Sequence, residues 1–157
     1  MTPLHFSARL VLSSALVLVG FAPPGLIHAA QPTAAPTFEL SKWETGETVK
    51  LGDFAGEIVV LDFFAYWCVP CKRASQEVES GIQKYYAGKK GNPHGVPVRV
   101  ISVNIEKDNP KQTAQFIKQT RAELVLNDFD GALLAKLGGA ATPFLVITAG
   151  RRRFARS

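Results

Sequence analysis

Apolar residues follow two kinds of spacing along this chain of 157 residues. Continuous or alternating apolar runs at residues 58–64, 96–103 and 144–148 predict strands, the first of them buried on both faces. The segment from Pro70 to about Tyr86 has helical spacing instead. The core face of this helix is predicted to consist of Ala74, Val78, Ile82 and Tyr85.

Shorter elements lie on either side of these. Residues 37–40 and 48–51 alternate around a polar turn and predict a β-hairpin. Asn109 and Pro110 are a capping residue and a first helical residue, so a helix is expected from there to about Thr120. The remaining predictions are a strand at 124–126, a helix capped by Asp130 that ends at Leu137, a turn at 149–150 and a last strand at 151–156.

The order of these elements indicates the fold class. Strands that alternate with helices predict an α/β fold with a mixed central sheet flanked by helices. The hairpin precedes the first central strand and is expected as an N-terminal extension. The length suits one domain.

The N-terminus has the pattern of a secretory signal peptide. Arg9 precedes an apolar run at 10–21, then helix breakers, and Ala29 ends a plausible cleavage sequence. We therefore expect a signal peptide at 1–29, a linker at 30–36 and the folded domain at 37–157. A retained anchor is the alternative, but the run has about 12 residues against the ~20 that span a bilayer. Export predicts a periplasmic or other extracytoplasmic location, with no stable membrane insertion after cleavage.

The charge does not indicate a nucleic-acid partner. The formal net charge is +5, with 18 basic and 13 acidic residues. Five arginines lie in the signal peptide or the last seven positions, which leaves a neutral body of 13 against 13. Basic residues interleaved with aromatic ones are not found in that body.

The two cysteines carry the candidate chemistry. Cys68 and Cys71 are the only cysteines and lie where the strand at 58–64 passes into the following helix. The first turn of a helix favours a thiolate through its free N–H groups and its dipole. Cys68 is therefore the predicted nucleophile, with Cys71 one turn away. Val69 and Pro70 form the loop between them, which the proline stiffens.

Other uses of the two sulfurs fit less well. A purely structural disulfide of so small a loop contributes only about 2 kcal/mol. Zinc needs about four ligands, and after cleavage His94 is the only histidine. Covalent haem attachment requires a histidine where Lys72 stands. A peroxiredoxin-type peroxidase is also disfavoured, because the two cysteines form a vicinal redox pair and the sequence offers no nearby arginine to polarise a peroxide. No metal and no cofactor are predicted.

The segment from Asp62 to Lys72 resembles the active site of thioredoxins. The hairpin, the signal peptide and the strand at 124–126 are more similar to the exported TlpA-like and ResA-like reductases. This resemblance implies a thioredoxin-like fold in which Pro143 is cis and lies beside the sulfurs. It also implies that the Thr142 backbone pairs with an extended substrate, and that Trp67 and Pro143 border the contact surface. A trans proline that begins a strand is the alternative reading of Pro143.

Asp62 matches the buried acid of thioredoxins, which passes a proton to or from the second cysteine. The residues support burial independently, because an aspartate inside an apolar strand is desolvated and its pKa rises. An aspartate facing solvent at the strand end is the alternative. Where thioredoxins often place a lysine near this acid, the neighbouring strand offers Ser102.

The C-terminus departs from the resemblance. Thioredoxin-like folds continue past the last hairpin with a helix that covers one sheet face, and this chain ends at Ser157. We therefore expect the C-terminal helix to be missing. Either a partner or the N-terminal extension covers the apolar face, or the sequence is a truncated product of reduced stability, since an uncovered apolar face would promote aggregation.

The functional hypothesis is an exported thiol-disulfide oxidoreductase, most simply a reductase of protein disulfides. Its predicted partners are disulfide-containing proteins and a membrane or exported electron donor that reduces the Cys68–Cys71 bond again. The resemblance implies exported clients such as apocytochromes c. The alternative from another class is a non-catalytic chaperone that binds copper or cysteine proteins through the same two cysteines.

Overall fold

The computed structural model describes residues 37–149. The predicted signal peptide, the linker and the last strand lie outside these residues. The strands are β1 (Glu39–Lys42), β2 (Thr48–Lys50), β3 (Ile58–Phe64), β4 (Val98–Asn104), β5 (Val125–Asn127) and β6 (Phe144–Ala149). The helices are a 3-10 helix (Leu51–Phe54), α1 (Val69–Val78), a π-helical segment (Glu79–Lys84), α2 (Tyr85–Gly88), α3 (Pro110–Thr120) and α4 (Ala132–Lys136).

The six strands form one mixed sheet in the order β2-β1-β5-β4-β3-β6. β3, β4 and β5 are parallel neighbours, whereas β6 pairs antiparallel with β3 and β1 pairs antiparallel with both β2 and β5. The predicted α/β class, the mixed sheet and the N-terminal hairpin are confirmed. Two helical crossovers produce the parallel centre, as expected for β-α-β connections.

β3 is the central strand because apolar side chains cover both of its faces. Val59, Leu61 and Phe63 pack into one core with residues of the hairpin and α4. On the opposite face Val60 packs against Val78 of α1, and Phe64 stacks on Phe116 of α3. Asp62 points to this second face, because side chains alternate along a strand. α1 therefore covers the side of the sheet that carries the aspartate.

The predicted core face of the long helix is wrong at its C-terminal end. Tyr85 is 49% exposed and packs edge-on against Tyr86. The π-helical segment explains the difference, because its i→i+5 bonding rotates later residues away from a 3.6-residue pattern. The buried positions of the helix include three that were not predicted, Ser75, Glu79 and Gln83.

Two local predictions also need correction. Leu51 lies in the 3-10 helix and not in a strand, because the Asp53 carboxylate accepts the Lys50 N–H at 2.8 Å and turns the chain.

Asp130 is not the main cap of α4. The buried Asp128 accepts the N–H groups of Leu133 and Leu134 at 3.1 and 2.9 Å. A carboxylate two residues further back reaches these free N–H groups because the chain turns at Gly131, which has φ +66°.

β6 lies at the edge of the sheet that the described strands form, and it leaves apolar side chains exposed. Leu145 and Ile147 are 41% and 69% exposed. In the register with β3 they lie beside Asp62 and Val60, and hence on the α1 side of the sheet. Ala149, which the sequence places in a turn, belongs to β6, and the rest of the predicted turn lies outside the described residues. Within residues 37–149, no helix is long and apolar enough to span a membrane.

Candidate active site

The cysteine pair lies at the N-terminus of α1. Cys68 is the N-cap residue, and its Sγ accepts the Cys71 N–H at 3.3 Å. The two residues form a disulfide with their Cα atoms 5.3 Å apart. Pro70 occupies the first helical turn, where it has no N–H bond to lose. The sulfur of Cys68 therefore lies at the positive end of the helix, and it shares the Cys71 N–H with the Cys68 carbonyl oxygen, which accepts that N–H at 3.1 Å.

The two sulfurs differ in their access to solvent. Cys71 is fully buried, and Cys68 is 4% exposed. Cys68 nevertheless lines a surface cleft of about 350 Å³ between the active-site loop and α3. The other lining residues are Tyr66, Val69, Lys72, Gln112, Gln115, Phe116 and Gln119. A substrate disulfide can reach Cys68 through this cleft, while Cys71 remains covered.

Trp67 is held at the rim of the site by an acid that the sequence analysis did not identify. Its indole is 58% exposed, and Nε1 donates to Glu106 Oε2 at 3.0 Å. This hydrogen bond, together with the Asp108 N–H on the other carboxylate oxygen, lowers the pKa of Glu106. Glu106 lies two residues after β4, at the same sheet edge as the loop after β3. The parallel pairing of β3 and β4 brings the two residues together.

Asp62 is fully buried, which excludes the solvent-facing alternative. Its Oδ2 accepts the Ser75 hydroxyl at 2.6 Å, and its Oδ1 has no partner among the described residues. Burial raises the pKa of Asp62 to about 6, and the Ser75 hydrogen bond opposes that rise. Ser75 lies one helical turn after Cys71 on the same face of α1. The aspartate is therefore placed about one turn from the second sulfur.

Ser102 takes the neighbouring position on β4. It pairs in register with Asp62, and its buried hydroxyl has no partner in the described part of the chain. Adjacent residues of a parallel pair point to the same face, so the serine stands beside the aspartate. A neutral hydroxyl thus occupies the position of the lysine that the resemblance led us to look for.

Thr142 and Pro143 lie at the same end of the sheet as the cysteines. The peptide bond between them is cis, the isomer that the resemblance implies. Phe144, which follows, pairs with Phe63 near the end of β3, and the cysteine loop begins just beyond that point. The roles of Thr142, Pro143 and Trp67 in substrate binding stay predictions.

Sequence analysis missed three polar side chains at or near the site. Ser75, Glu79 and Glu106 lack a motif of their own. A signal for the first two is their spacing, because they follow Cys71 at four and eight residues and interrupt an otherwise apolar helix face. Glu106 could be found only from the sheet register. Among residues 37–149, no group of three or more histidine, cysteine or acidic side chains is placed to hold a metal ion.

The fold and the site are those of thioredoxin-like thiol-disulfide oxidoreductases. Residues 32–152 match the model of the AhpC/TSA family, and the chain belongs to that family.

Individual relatives agree with this class. A thioredoxin-like protein of Bacillus subtilis, YneN, is 44% identical over 88 residues, which are 56% of this chain and 43% of that protein. The chain thus spans less than half the length of this curated relative. A candidate thiol:disulfide interchange protein DsbE from Chlorobium tepidum is 31% identical, with a TM-score of 0.56 over 76% of this chain and 85% of the other. A thiol-disulfide oxidoreductase from Bacteroides fragilis shares the fold at 20% identity, with a TM-score of 0.60 over 76% and 85% of the chains.

Proposed function

We propose that the protein is an exported reductase of protein disulfides that uses the Cys68–Cys71 couple. The observation that carries this proposal is the difference between the two sulfurs. Cys68 caps the helix, accepts an N–H and lines an open cleft, whereas Cys71 is buried beneath it. This arrangement suits one attacking and one resolving thiol.

The reaction has two exchange steps. The Cys68 thiolate attacks a client disulfide, so a bond forms between Cys68 and one client sulfur while the other client sulfur leaves as a thiolate. Cys71 then loses its proton to the buried Asp62 and attacks Cys68 Sγ. The Cys68–Cys71 bond forms and the second client sulfur departs. The client disulfide is reduced by two electrons, and an exported or membrane dithiol donor then reduces the Cys68–Cys71 disulfide back to the dithiol.

The arginines of the described region support a disulfide client over a peroxide. Arg73 pairs with Glu77 at 2.9 Å, and Arg99 pairs with Glu57 at 3.3 Å. Arg121, the third arginine of residues 37–149, lines a different cleft. Each of these guanidinium groups is thus engaged or placed elsewhere, and the cleft at Cys68 offers Lys72 and three glutamine amides instead.

The proposals of export and of net disulfide reduction rest on the sequence and on redox chemistry. The pattern at residues 1–29 supports a signal peptide, and the two-residue spacer between the cysteines supports a reversible couple. The client class, exported proteins such as apocytochromes c, comes only from the resemblance to TlpA-like reductases. An electron donor is required because an oxidising compartment does not reduce the pair by itself.

The test is the reduction of insulin by dithiothreitol, followed as turbidity, with protein that begins at Ala30. The wild type is expected to accelerate precipitation, and Cys68→Ser to abolish the acceleration. A reduction potential well below that of protein disulfide isomerase, about −180 mV, is expected for a reductase. A protein that fails with insulin but binds copper(I) through both thiols is a chaperone, and the proposal is then wrong.

A further inference from the structure

The cleft at Cys68 continues as a groove between the cysteine-bearing helix and α3. A second cleft of about 240 Å³ adjoins it, and Gln119 of α3 lines both clefts. The Gln76 side-chain amide donates to the Gln119 carbonyl at 3.1 Å, so the two helices are tied together where the clefts meet. We call the two clefts together the α1–α3 groove. It begins at the attacking sulfur and extends away from it along both helices.

The cysteine-bearing helix and its π-helical continuation supply one polar side of this groove. Lys72 lines the cleft at Cys68, and Gln76, Ser80 and Lys84 line the second cleft. These residues recur at every fourth position, a spacing that keeps side chains on one side of a helix. All four are exposed. This side of the groove is therefore open to a ligand that approaches from solvent.

α3 supplies the other side with amide groups. Gln112, Gln115 and Gln119 line the cleft at Cys68 and are spaced by three and four residues, so they also share one helix face. Each amide has donors and an acceptor, as the backbone of an extended peptide requires. The row is about 10 Å long at 1.5 Å per helical residue, which equals about three residues of extended chain.

The groove is positively charged. Lys72, Lys84 and Arg121 line it and are exposed, and none of the three forms an ion pair within residues 37–149. Among the described residues that line the groove, Glu79 is the one acid, and its carboxylate oxygens are closed to solvent. A negatively charged ligand in the groove therefore meets three accessible cations and no accessible carboxylate.

Two exposed acids of the same helical region are engaged by other side chains. Glu77 pairs with Arg73 at 2.9 Å, and Glu123 Oε2 accepts the Gln83 amide at 3.1 Å. Neither acid lines one of the two clefts. The three cations of the groove thus remain available to a ligand of opposite charge.

We propose that clients dock in the α1–α3 groove through an acidic, extended segment beside their disulfide. This inference rests on the proposed function, because the docked segment would present its cysteine to Cys68. Lys84 follows Lys72 by twelve positions, a helical distance of about 18 Å. An extended chain covers that distance in about five to six residues. The acidic side chains of a client are therefore expected within about six positions of its cysteine.

The test uses peptides whose single cysteine carries nitrothiobenzoate as a mixed disulfide. The Cys68 thiolate of the reduced protein attacks the peptide sulfur, a Cys68–peptide disulfide forms, and nitrothiobenzoate leaves as a coloured thiolate. The five residues on each side of the peptide cysteine are all aspartate, all asparagine or all lysine. Each rate is divided by the rate of mercaptoethanol with the same peptide, which corrects for the reactivity of the peptide itself.

We expect the reduced wild type to prefer the aspartate peptide to the asparagine peptide roughly tenfold at low salt, and to react slowest with the lysine peptide. Lys84→Gln combined with Arg121→Gln should remove most of this preference. Lys111→Gln combined with Lys118→Gln is the matched control, because these exposed lysines of α3 line neither cleft and the same charge is lost. The control should keep the preference. Urea unfolding checks that each variant is folded.

Three results overturn the inference. The first is an aspartate peptide that reacts no faster than the asparagine peptide with wild type. The second is a preference that survives in Lys84→Gln/Arg121→Gln. The third is an equal loss of preference in both double variants, because net charge alone would then attract the peptide.

Failure of the proposed function gives a different result. A reduced wild type that releases no nitrothiobenzoate from any of the three peptides contradicts the function, and the docking inference with it. Release from all three peptides at equal corrected rates contradicts only the docking inference.

Discussion

The Ser75 hydroxyl donates a hydrogen bond of 2.6 Å to Asp62 Oδ2, and this bond joins the active-site helix to the central strand. Ser75 lowers the pKa of Asp62 while burial raises it. The balance of the two effects leaves the pKa of Asp62 at about 6. At that value the carboxyl group can accept a proton from Cys71 and can return it.

Removing this hydroxyl is expected to raise the pKa of Asp62 further. In Ser75→Ala the charged carboxylate loses its donor and keeps its desolvation, so the pKa rises by roughly one unit. Carboxyl chemical shifts of Asp62 measured against pH check this. Ser80→Ala is the control, because its exposed hydroxyl bonds to the Gln76 carbonyl at 2.7 Å and not to Asp62. An unchanged or lower Asp62 pKa in Ser75→Ala would contradict the assignment.

Stability is expected to decrease as the pH rises toward neutrality. The folded pKa values of Asp62 and Glu79 are raised to about 6 and about 7, from ordinary values of 3.8 and 4.5. The folded state therefore binds these protons more tightly than the unfolded state. Its stabilisation is complete below the ordinary values and is lost as the pH passes through 6 and 7. The loss in unfolding free energy is on the order of 3 kcal/mol per group.

Urea unfolding between pH 4 and pH 8 measures this dependence. Asp62→Asn and Glu79→Gln should each flatten the curve and be more stable than wild type at pH 8. Glu77→Gln, whose carboxylate is exposed, should follow wild type. A wild-type stability that rises from pH 4 to pH 8 would show that these two acids are not the controlling groups.

Loss of the Glu106 carboxylate is expected to release the Trp67 side chain. Nε1 of Trp67 has Glu106 Oε2 as its acceptor at 3.0 Å. In Glu106→Ala we expect lower fluorescence anisotropy and a KM for a disulfide peptide raised roughly threefold, with the rate of Cys68 alkylation unchanged. Glu47→Ala, a substitution in the hairpin turn, is the control. Equal KM values for all three proteins would remove Trp67 from the substrate surface.

Phe116 is expected to anchor α3 beside the cysteine loop. Its ring stacks on Phe64 with centroids 4.4 Å apart and planes 2° apart, and it also lines the cleft at Cys68. Phe116→Ala should destabilise the fold by about 3–5 kcal/mol through the cavity that it leaves. Thermal and urea unfolding measure the change, and the exposed Lys118→Ala on the same helix should cost little. A loss of unfolding free energy below about 1 kcal/mol in Phe116→Ala would contradict the anchoring role of Phe116.

Local sequence patterns are sufficient to predict the central strand and the start of α3. The strand at 58–64 was predicted with its observed bounds, because its apolar run is uninterrupted except at Asp62. Asn109 and Pro110 marked the start of α3, where the Asn109 side chain accepts the Gln112 N–H. These features depend on residues close in sequence, so a local pattern carries them.

Features that depend on long-range pairing could not be predicted in this way. Trp67 and Glu106 are 39 positions apart in the sequence. They meet because each follows one of two parallel neighbouring strands, β3 and β4. The buried Glu79 is in a π-helical turn, which no 3.6-residue pattern anticipates. Asp128 caps α4 across a left-handed turn, so the prediction of Asp130 as the cap is wrong.

The most direct test of the account is the pH dependence of alkylation of each cysteine in the reduced protein. Short pulses of iodoacetamide followed by peptide mass spectrometry give the rate at Cys68 and Cys71 separately. The account predicts that Cys68 reacts first, with a midpoint well below that of an ordinary thiol, about 8.5, and that Cys71 stays protected. Equal modification of the two cysteines, or an ordinary-thiol profile at Cys68, would contradict it.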